Sequence, residues 1–330
     1  MALVSVIIIN YNNKNYLNRC IDSILNQTYK NIEIIFIDNK SNDLSYDYVI
    51  EEYSDKEINF IRNEVNNGYA GGANQGIKIS KGEYVVILNP DIIMEYNFIE
   101  ELVNYIKDDN KIGAISGKLL KYDFNKDIKT KYIDSAGIEM YRSGKSKDRG
   151  QNELDTGAYD NIEEVFGICG AAPMYRKSAL QEIKINEEYF DEDFFSYKED
   201  IDISWRLNLY DYKNIYYPRA VAYHGRGFGS SKGGAKEFIN ARKRQSEFLR
   251  GLSYRNQRMM EWKNIDKLDV NIFFRLRRRV VFAVYALMFE RFQMKYYFQS
   301  KKLKKKMIIK HNIIKNNRKR SNKEISYLIK

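Results

Sequence analysis

Apolar residues recur along the first 120 positions in two alternating rhythms. Residues 4–9 form a continuous, mostly β-branched run that ends at Asn10, Tyr11 and Asn12. Such a run predicts a strand buried on both faces of a parallel sheet. Residues 15–25 then set Leu17, Ile21, Ile24 and Leu25 at helical spacing. The alternation continues, with strands predicted at 32–37, 58–61, 84–88 and 112–115 and helices at 45–53 and 97–107. A glycine-rich turn (Gly68, Gly71, Gly72, Gly76) leads into a short helix before the central strand at 84–88. Strand and helix in strict alternation predict a doubly wound α/β sheet. Three of its strands end in polar clusters, at 10–12, 38–43 and 89–91. In open α/β sheets such ends gather at one edge, where ligands bind.

Beyond residue 119 the pattern weakens. Alternation over 132–141 predicts a hairpin or meander, and the polar stretch 144–157 a mobile loop over the site. Residues 165–174 predict a small-residue strand whose Gly167 and Gly170 would let backbone approach a ligand closely. A short helix is expected at 178–183. From Ile201 to Leu209 two rules conflict: the apolar positions alternate as in a strand, yet Ile201, Trp205 and Leu209 also stack as in a helix. Short strands at 215–217 and 220–223 flank Pro218, with His224 and a Gly/Ser loop (225–234) following, and 235–262 reads as helix.

Composition places the chain among globular proteins, with 44% hydrophobic and 30% charged residues and only three prolines. Cys20 and Cys169 lie in apolar surroundings without metal-type spacing, as buried thiols of a reducing compartment do. The N-terminus enters a strand with no signal-like core, and no apolar run reaches the roughly 20 residues of a membrane span. A cytoplasmic location is expected.

Charge changes the picture at one end. Residues 271–330 hold 18 Lys and Arg against Glu290 and Glu324, a charge of +16, which leaves −5 on the first 270 residues. The tail has two readings. It is a helical, basic extension that completes the fold, or it docks on anionic lipid at the inner face of the plasma membrane. It could also mediate a homodimer. The main domain is acidic and carries no recognisable nucleic-acid reader, so no specific nucleic acid is expected. A nicotinamide enzyme is rejected: the glycines at 68–76 follow the third strand, and the first strand ends without one.

Candidate chemistry concentrates at the strand ends. Pro90 halts the central strand and Asp91 is delivered at its edge, where a divalent cation could hold phosphates. Tyr11 could stack on a pyrimidine whose N3–H Asp38 accepts; equally, Asp38 could be an ordinary turn-forming Asx residue.

At this point the chain resembles a known family. Residues 4–12, 34–43, the 67–76 segment with Asn67, Gly68 and Asn74, residues 88–91, Gly170-Ala171, residues 194–202 and His224 fall in the order seen in family 2 glycosyltransferases of the GT-A fold, most like rhamnosyltransferase-type members. The resemblance covers about residues 3–230. It implies a Rossmann-like, mostly parallel sheet in a catalytic domain at 1–234 (nucleotide-binding half 1–120, acceptor half 121–234), with the extension at 235–330, and it favours helix over strand at 201–209. It implies inverting transfer of a sugar, rhamnose favoured, from a dTDP- or UDP-linked donor to a glycan or lipid-linked acceptor. GlcNAc, galactose or glucose donors, and a protein acceptor, are the alternative. By the same resemblance Asn10, Tyr11, Asn12, Asp38 and Asn39 meet the nucleotide and Asn89 the ribose. Asn67, Gly68 and Asn74 shape the donor pocket. Asp91 and His224 hold Mg2+ or Mn2+, Asp200 is the general base and Glu199 its orienting neighbour. Gly170, Trp205 and Arg206 lie on the acceptor side or support the site. The family's Asp-x-Asp pattern is Asn89-Pro90-Asp91 here, which leaves Asp91 as its single carboxylate.

Overall fold

The computed structural model describes residues 1–225, 245–265 and 272–330. The Gly/Ser loop after Gly225 and the start of the helix expected from residue 235 lie outside the described residues. The first half alternates as the sequence predicts: β1 (Val4–Asn10), α1 (Lys14–Leu25), β2 (Ile32–Asp38), α2 (Ser45–Glu52), β3 (Ile58–Arg62), α3 (Gly68–Ile79), β4 (Tyr84–Leu88), β5 (Ile92–Met94) and α4 (Phe98–Ile106). The second half adds β6 (Ile112–Asp123), β7 (Ile128–Ser135), β8 (Ile138–Met140), β9 (Ser146–Asp148), β10 (Glu163–Val165), β11 (Met174–Arg176), α5 (Lys177–Glu182), α6 (Glu199–Leu209) and β12 (Lys213–His224). The C-terminal helices are α7 (Glu247–Asn264), α8 (Ile272–Phe289) and α9 (Gln293–Asn317).

One sheet organises the molecule in the order β10-β12-β6-β11-β4-β1-β2-β3, with β5 on β12 and β7 on β6. Strands β3, β2, β1 and β4 are mutually parallel, as are β12 and β6, whereas β11 runs antiparallel between β4 and β6. The sheet is buried on both faces. Val4, Val6 and Ile8 enter one apolar cluster and Ile7 and Ile9 the other. That two-sided burial is why the strands read as unbroken apolar runs.

The structure redraws five expectations. The glycines at 68–76 lie inside α3 rather than in a turn before it. A Cβ on Gly76 would stand 2.5 Å from Ile7 and one on Gly72 2.8 Å from Ile9, so their absence lets the helix seat directly on β1. Strand β6 continues to Asp123, and Gly117 permits it, since a Cβ there would lie 2.2 Å from the Ala220 carbonyl oxygen of β12. Residues 166–173 are irregular rather than a strand. Gly167 makes a single bridge to Ile138 of β8, and the next N–H groups turn to α6 side chains, Ile168 to Ser204 Oγ (3.2 Å) and Gly170 to Asp200 Oδ2 (3.3 Å). The two short strands about Pro218 are one strand, β12, with a register shift between Tyr216 and Val221. The segment 144–157 is stitched down: β8 and β9 form a small hairpin, and Arg149 and Asn152 donate backbone N–H groups to the carbonyls of Gly137 and Ile133.

The C-terminal segment packs onto the sheet domain through ions and amides. Lys310 of α9 reaches Asp191 Oδ1 (2.6 Å), and Lys263 of α7 bridges Asp191 and Asp202 at 2.8 Å each. Trp205 Nε1 donates to Asn322 Oδ1 (2.7 Å), and the last residue pairs its backbone with Met140 of β8.

Candidate active site

The site lies at the C-terminal ends of β1, β2 and β4, where the parallel strands point their last residues to one edge. At the ends of β1 and β2, buried Asn10 donates from Nδ2 to Asp38 Oδ1 (2.8 Å) and Ser41 Oγ (3.0 Å), while Ser41 N–H donates to Asp38 Oδ2 (2.9 Å). Asn12 sits at a φ of 56° and bonds through its backbone N–H to Ser41 and through Oδ1 to the N–H of Asn42. This amide–hydroxyl lattice fixes two loops before any ligand arrives. Tyr11 projects from it with its ring half-exposed, free to stack. Asn39 and Asn74 have a different task. Both are buried; Asn39 ties to the Gly68 carbonyl (2.9 Å), and Asn74 clamps residues 189–192 through the carbonyl and N–H of Phe190 (2.8 Å each). Gly68, at a φ of 68°, passes so near the turn before α6 that a Cβ would fall 2.3 Å from the Phe195 carbonyl oxygen. Asn67 is half-buried just before it.

The second group forms where β12 returns beside β5. Asp91 Oδ1 lies 3.4 Å from His224 Nε2, and His224 Nδ1 lies 2.7 Å from Oδ2 of the buried Asp134 on β7. Burial opposes charge on this imidazole, but Asp91 and Asp134 outweigh it and hold its pKa up at about 9. A carboxylate behind a histidine is the arrangement that orients a metal-binding imidazole. Among the described residues no three His, Cys, Asp or Glu side chains converge as a complete cage. Asp91 and His224 therefore fit an ion that displaces the His224 proton and keeps open positions for phosphate oxygens. Asp134 was not singled out from sequence; its only signal is a buried acid at the end of an alternating strand.

The third group opens α6. Phe195, Tyr197 and Lys198 all have positive φ (65°, 73° and 73°), a contorted approach that presents Glu199 and Asp200 on the first turn. Asn256 of α7 holds this approach, since its Nδ2 reaches the carbonyls of Phe194 (2.8 Å), Ser196 (2.8 Å) and Tyr197 (2.7 Å). Asp200 accepts from the N–H of Gly170 (3.3 Å) and of Ile201 (2.8 Å). A Cβ on Gly170 would stand 3.2 Å from the Asp200 Cβ, so glycine is what admits the carboxylate there. Burial raises Asp200 above the usual carboxylate range and Asp148 of β9 adds to the rise; burial and then Asp200 raise Glu199. The buried Glu199 Oε2 has no hydrogen-bond partner among the described residues. Behind them, Arg206 binds Asp202 (3.1 Å) and the carbonyls of Ile183 (2.8 Å) and Tyr189 (2.6 Å), and Trp205 is locked by Asn322.

Residues 170–171 join the second and third groups. The Gly170 carbonyl accepts from Tyr69 OH (2.7 Å), its N–H meets Asp200, and the next carbonyl, of Ala171, accepts from Asn89 N–H (2.9 Å) just before Asp91. The strand-end carboxylate and the helix-end carboxylate are thus coupled through one short stretch of backbone. A mostly parallel sheet whose strand ends carry Asp38 and Asp91 beside the acids that open α6 has the architecture of the GT-A fold.

The family model of glycosyl transferase family 2 matches residues 5–184, more than half of the chain, and the chain belongs to that family. It is 29% identical over 222 residues to poly-beta-1,6-N-acetyl-D-glucosamine synthase of Staphylococcus epidermidis, covering 67% of this chain and 49% of that protein. It is 36% identical over 124 residues to the UDP-Glc:alpha-D-GlcNAc-diphosphoundecaprenol beta-1,3-glucosyltransferase WfaP of Escherichia coli, covering 38% and 49%. The chain spans about half the length of these curated relatives. Among solved structures it resembles GalNAc-T7 with UDP, GalNAc and Mn2+, at a TM-score of 0.57 and 16% identity over 81% of this chain and 53% of that one, a likeness of fold.

Proposed function

We propose that the protein transfers a sugar from a nucleoside diphosphate donor to a glycan or lipid-linked acceptor hydroxyl, with inversion, in polysaccharide synthesis. The observation that carries this reading is the backbone coupling of Asp91 to Asp200 through residues 170–171. Tyr11 stacks on the base, and Asp38, already oriented by Asn10 and Ser41, has lone pairs left for its N3–H. Asn89 sits beside the ribose. Asp91 and His224 would hold Mg2+ or Mn2+, and the ion would supply charge neutralisation for the departing diphosphate. Asp200 takes the proton of the acceptor hydroxyl as that oxygen attacks the anomeric carbon. The bond from this carbon to the diphosphate oxygen breaks on the opposite face, and the nucleoside diphosphate leaves. One base suffices for this single displacement, whereas a glycosidase needs two carboxylates. Glu199, buried against Asp200, keeps it oriented.

The names of the relatives support the alternative donor over rhamnose: one polymerises N-acetylglucosamine and another transfers glucose from UDP. We therefore favour a UDP-linked GlcNAc, glucose or galactose donor, and the diphosphoundecaprenol in one of those names supports a lipid-linked acceptor.

Calorimetry with UDP, dTDP, GDP and NADH in Mn2+, on wild type and Asp91→Ala, tests the reading. UDP or dTDP should bind in a metal-dependent way that Asp91→Ala abolishes. NADH binding, or no nucleotide binding by a folded sample, overturns it.

A further inference from the structure

Helix α8 is inside out. A helix on a water-facing surface turns its apolar stripe inward and its charges outward. Here the inward positions are Arg275, Arg278, Arg279, Phe282, Tyr285 and Ala286, spaced by threes and fours along one face. The three guanidiniums converge on one buried carboxylate, Glu261 of α7, at 3.3, 3.0 and 2.6 Å, and Phe282 stacks on Tyr254 with ring centroids 4.6 Å apart. The outward positions Leu276, Val280, Val284 and Leu287 are each more than half exposed. The stripe runs on into α9, where Met294 and Phe298 are exposed too. No helix among the described residues is long and apolar enough to cross a membrane.

We propose that this outer face of α8 lies in the interfacial layer of an anionic lipid bilayer, parallel to its plane. Charge selects the occupant. Exposed Arg277, Arg291, Lys295, Lys301 and Lys302 rim the stripe. The one acid on α8, α9 and their connection, Glu290, is buried against Arg250 at 2.8 Å. A second copy docking on this face would set basic rim against basic rim, whereas an anionic headgroup layer complements it. Position agrees with use. Gln257 donates to Glu261 (2.9 Å) and to the Gly144 carbonyl (2.8 Å), in the turn that leads into β9. Ser146 of β9 meets Lys198 (2.9 Å), the residue before Glu199. The lipid-facing helix is thereby braced against the flank that carries the base.

This inference stands apart from the donor reading, because vesicle binding is read with no nucleotide present. The full chain is sedimented with phosphatidylcholine vesicles, with and without phosphatidylglycerol. Wild type should bind the anionic vesicles and bind neutral ones about tenfold more weakly or worse. The combined variant Leu276→Ser, Val280→Ser, Val284→Ser, Leu287→Ser should lose binding while its melting temperature holds. Charge reversal at Arg277, Lys295 and Lys301 should do the same. Should the serine variant fail to fold, Val284→Trp reports instead: its fluorescence should shift to the blue on anionic vesicles. No shift, equal binding by wild type and the serine variant, or a dimer abolished by that variant without vesicle binding would overturn the proposal.

Discussion

On the proposed reading two regions hold the reacting groups, and they are built with opposite chemistry. The nucleotide end is a lattice of amides and hydroxyls (Asn10, Asp38, Ser41, Asn12) in which nearly every partner lies within four residues of a strand end. The proposed acceptor end is a cluster of ions: buried Glu199 and half-buried Asp200 at its face, buried Asp191, Asp202, Lys263 and Lys310 behind them. Neutral hydrogen bonds are inexpensive to bury and hold a recognition surface still. Buried carboxylates are costly unless paired. The pairing is complete at the back, where Lys263 and Lys310 serve Asp191 and Asp202. It is incomplete at the front, where Glu199 and Asp200 stay close to a proton. The difference suits the proposed division of labour, with one end for binding and the other for proton transfer.

The contrast breaks most sharply at Asp200. Asp200→Asn should lower UDP release from a UDP-sugar by about 10²–10⁴-fold, with UDP affinity unchanged. At the back of the same end, Lys263→Met removes a shared partner and leaves Asp191 to Lys310 and Asp202 to Arg206, which should cost about 3 kcal/mol of stability in a urea titration. Asn256→Ala frees the three carbonyls before α6 and should cost about 1–3 kcal/mol, with turnover falling and UDP affinity held. At the nucleotide end, Tyr11→Ala should weaken UDP by about 1–3 kcal/mol and leave the turnover of saturated enzyme alone.

The smallest effect is on pH. Asp200 must be ionised to act and its pKa is raised, so activity should climb with pH through a limb lying above the usual carboxylate range. Asp148 contributes to that rise. Asp148→Asn removes a negative charge, lowers the Asp200 pKa and should move the limb to lower pH. A limb that stays in place, or moves up, breaks the assignment.

The same contrast explains what could be read from the chain alone. Strands β1 to β4 and the polar residues at their ends were legible because period and strand-end chemistry are local, whereas at α6 the period was ambiguous and the family resemblance favoured helix. The glycines of α3 misled, since glycine marks turns in sequence and close packing in space, and here Gly72 and Gly76 answer to Ile9 and Ile7. The small residues at 166–173 looked like a strand because nothing local shows that the N–H groups of Ile168 and Gly170 go to Ser204 and Asp200. Asp134, Asp148, Asn256 and Lys263 act on residues tens of positions away, and no spacing rule reaches that far. The basic tail showed its charge but not its destination. Lys310 enters the acidic run at 188–193, whereas α8 turns Arg275, Arg278 and Arg279 inward.

The most direct test places the two ends side by side: UDP affinity in Mn2+ and UDP-sugar turnover, measured on Asp200→Asn and Asp91→Ala. The division predicts that Asp200→Asn keeps affinity and loses turnover, while Asp91→Ala loses both. Turnover surviving in Asp200→Asn, or affinity lost equally in the two, would contradict it.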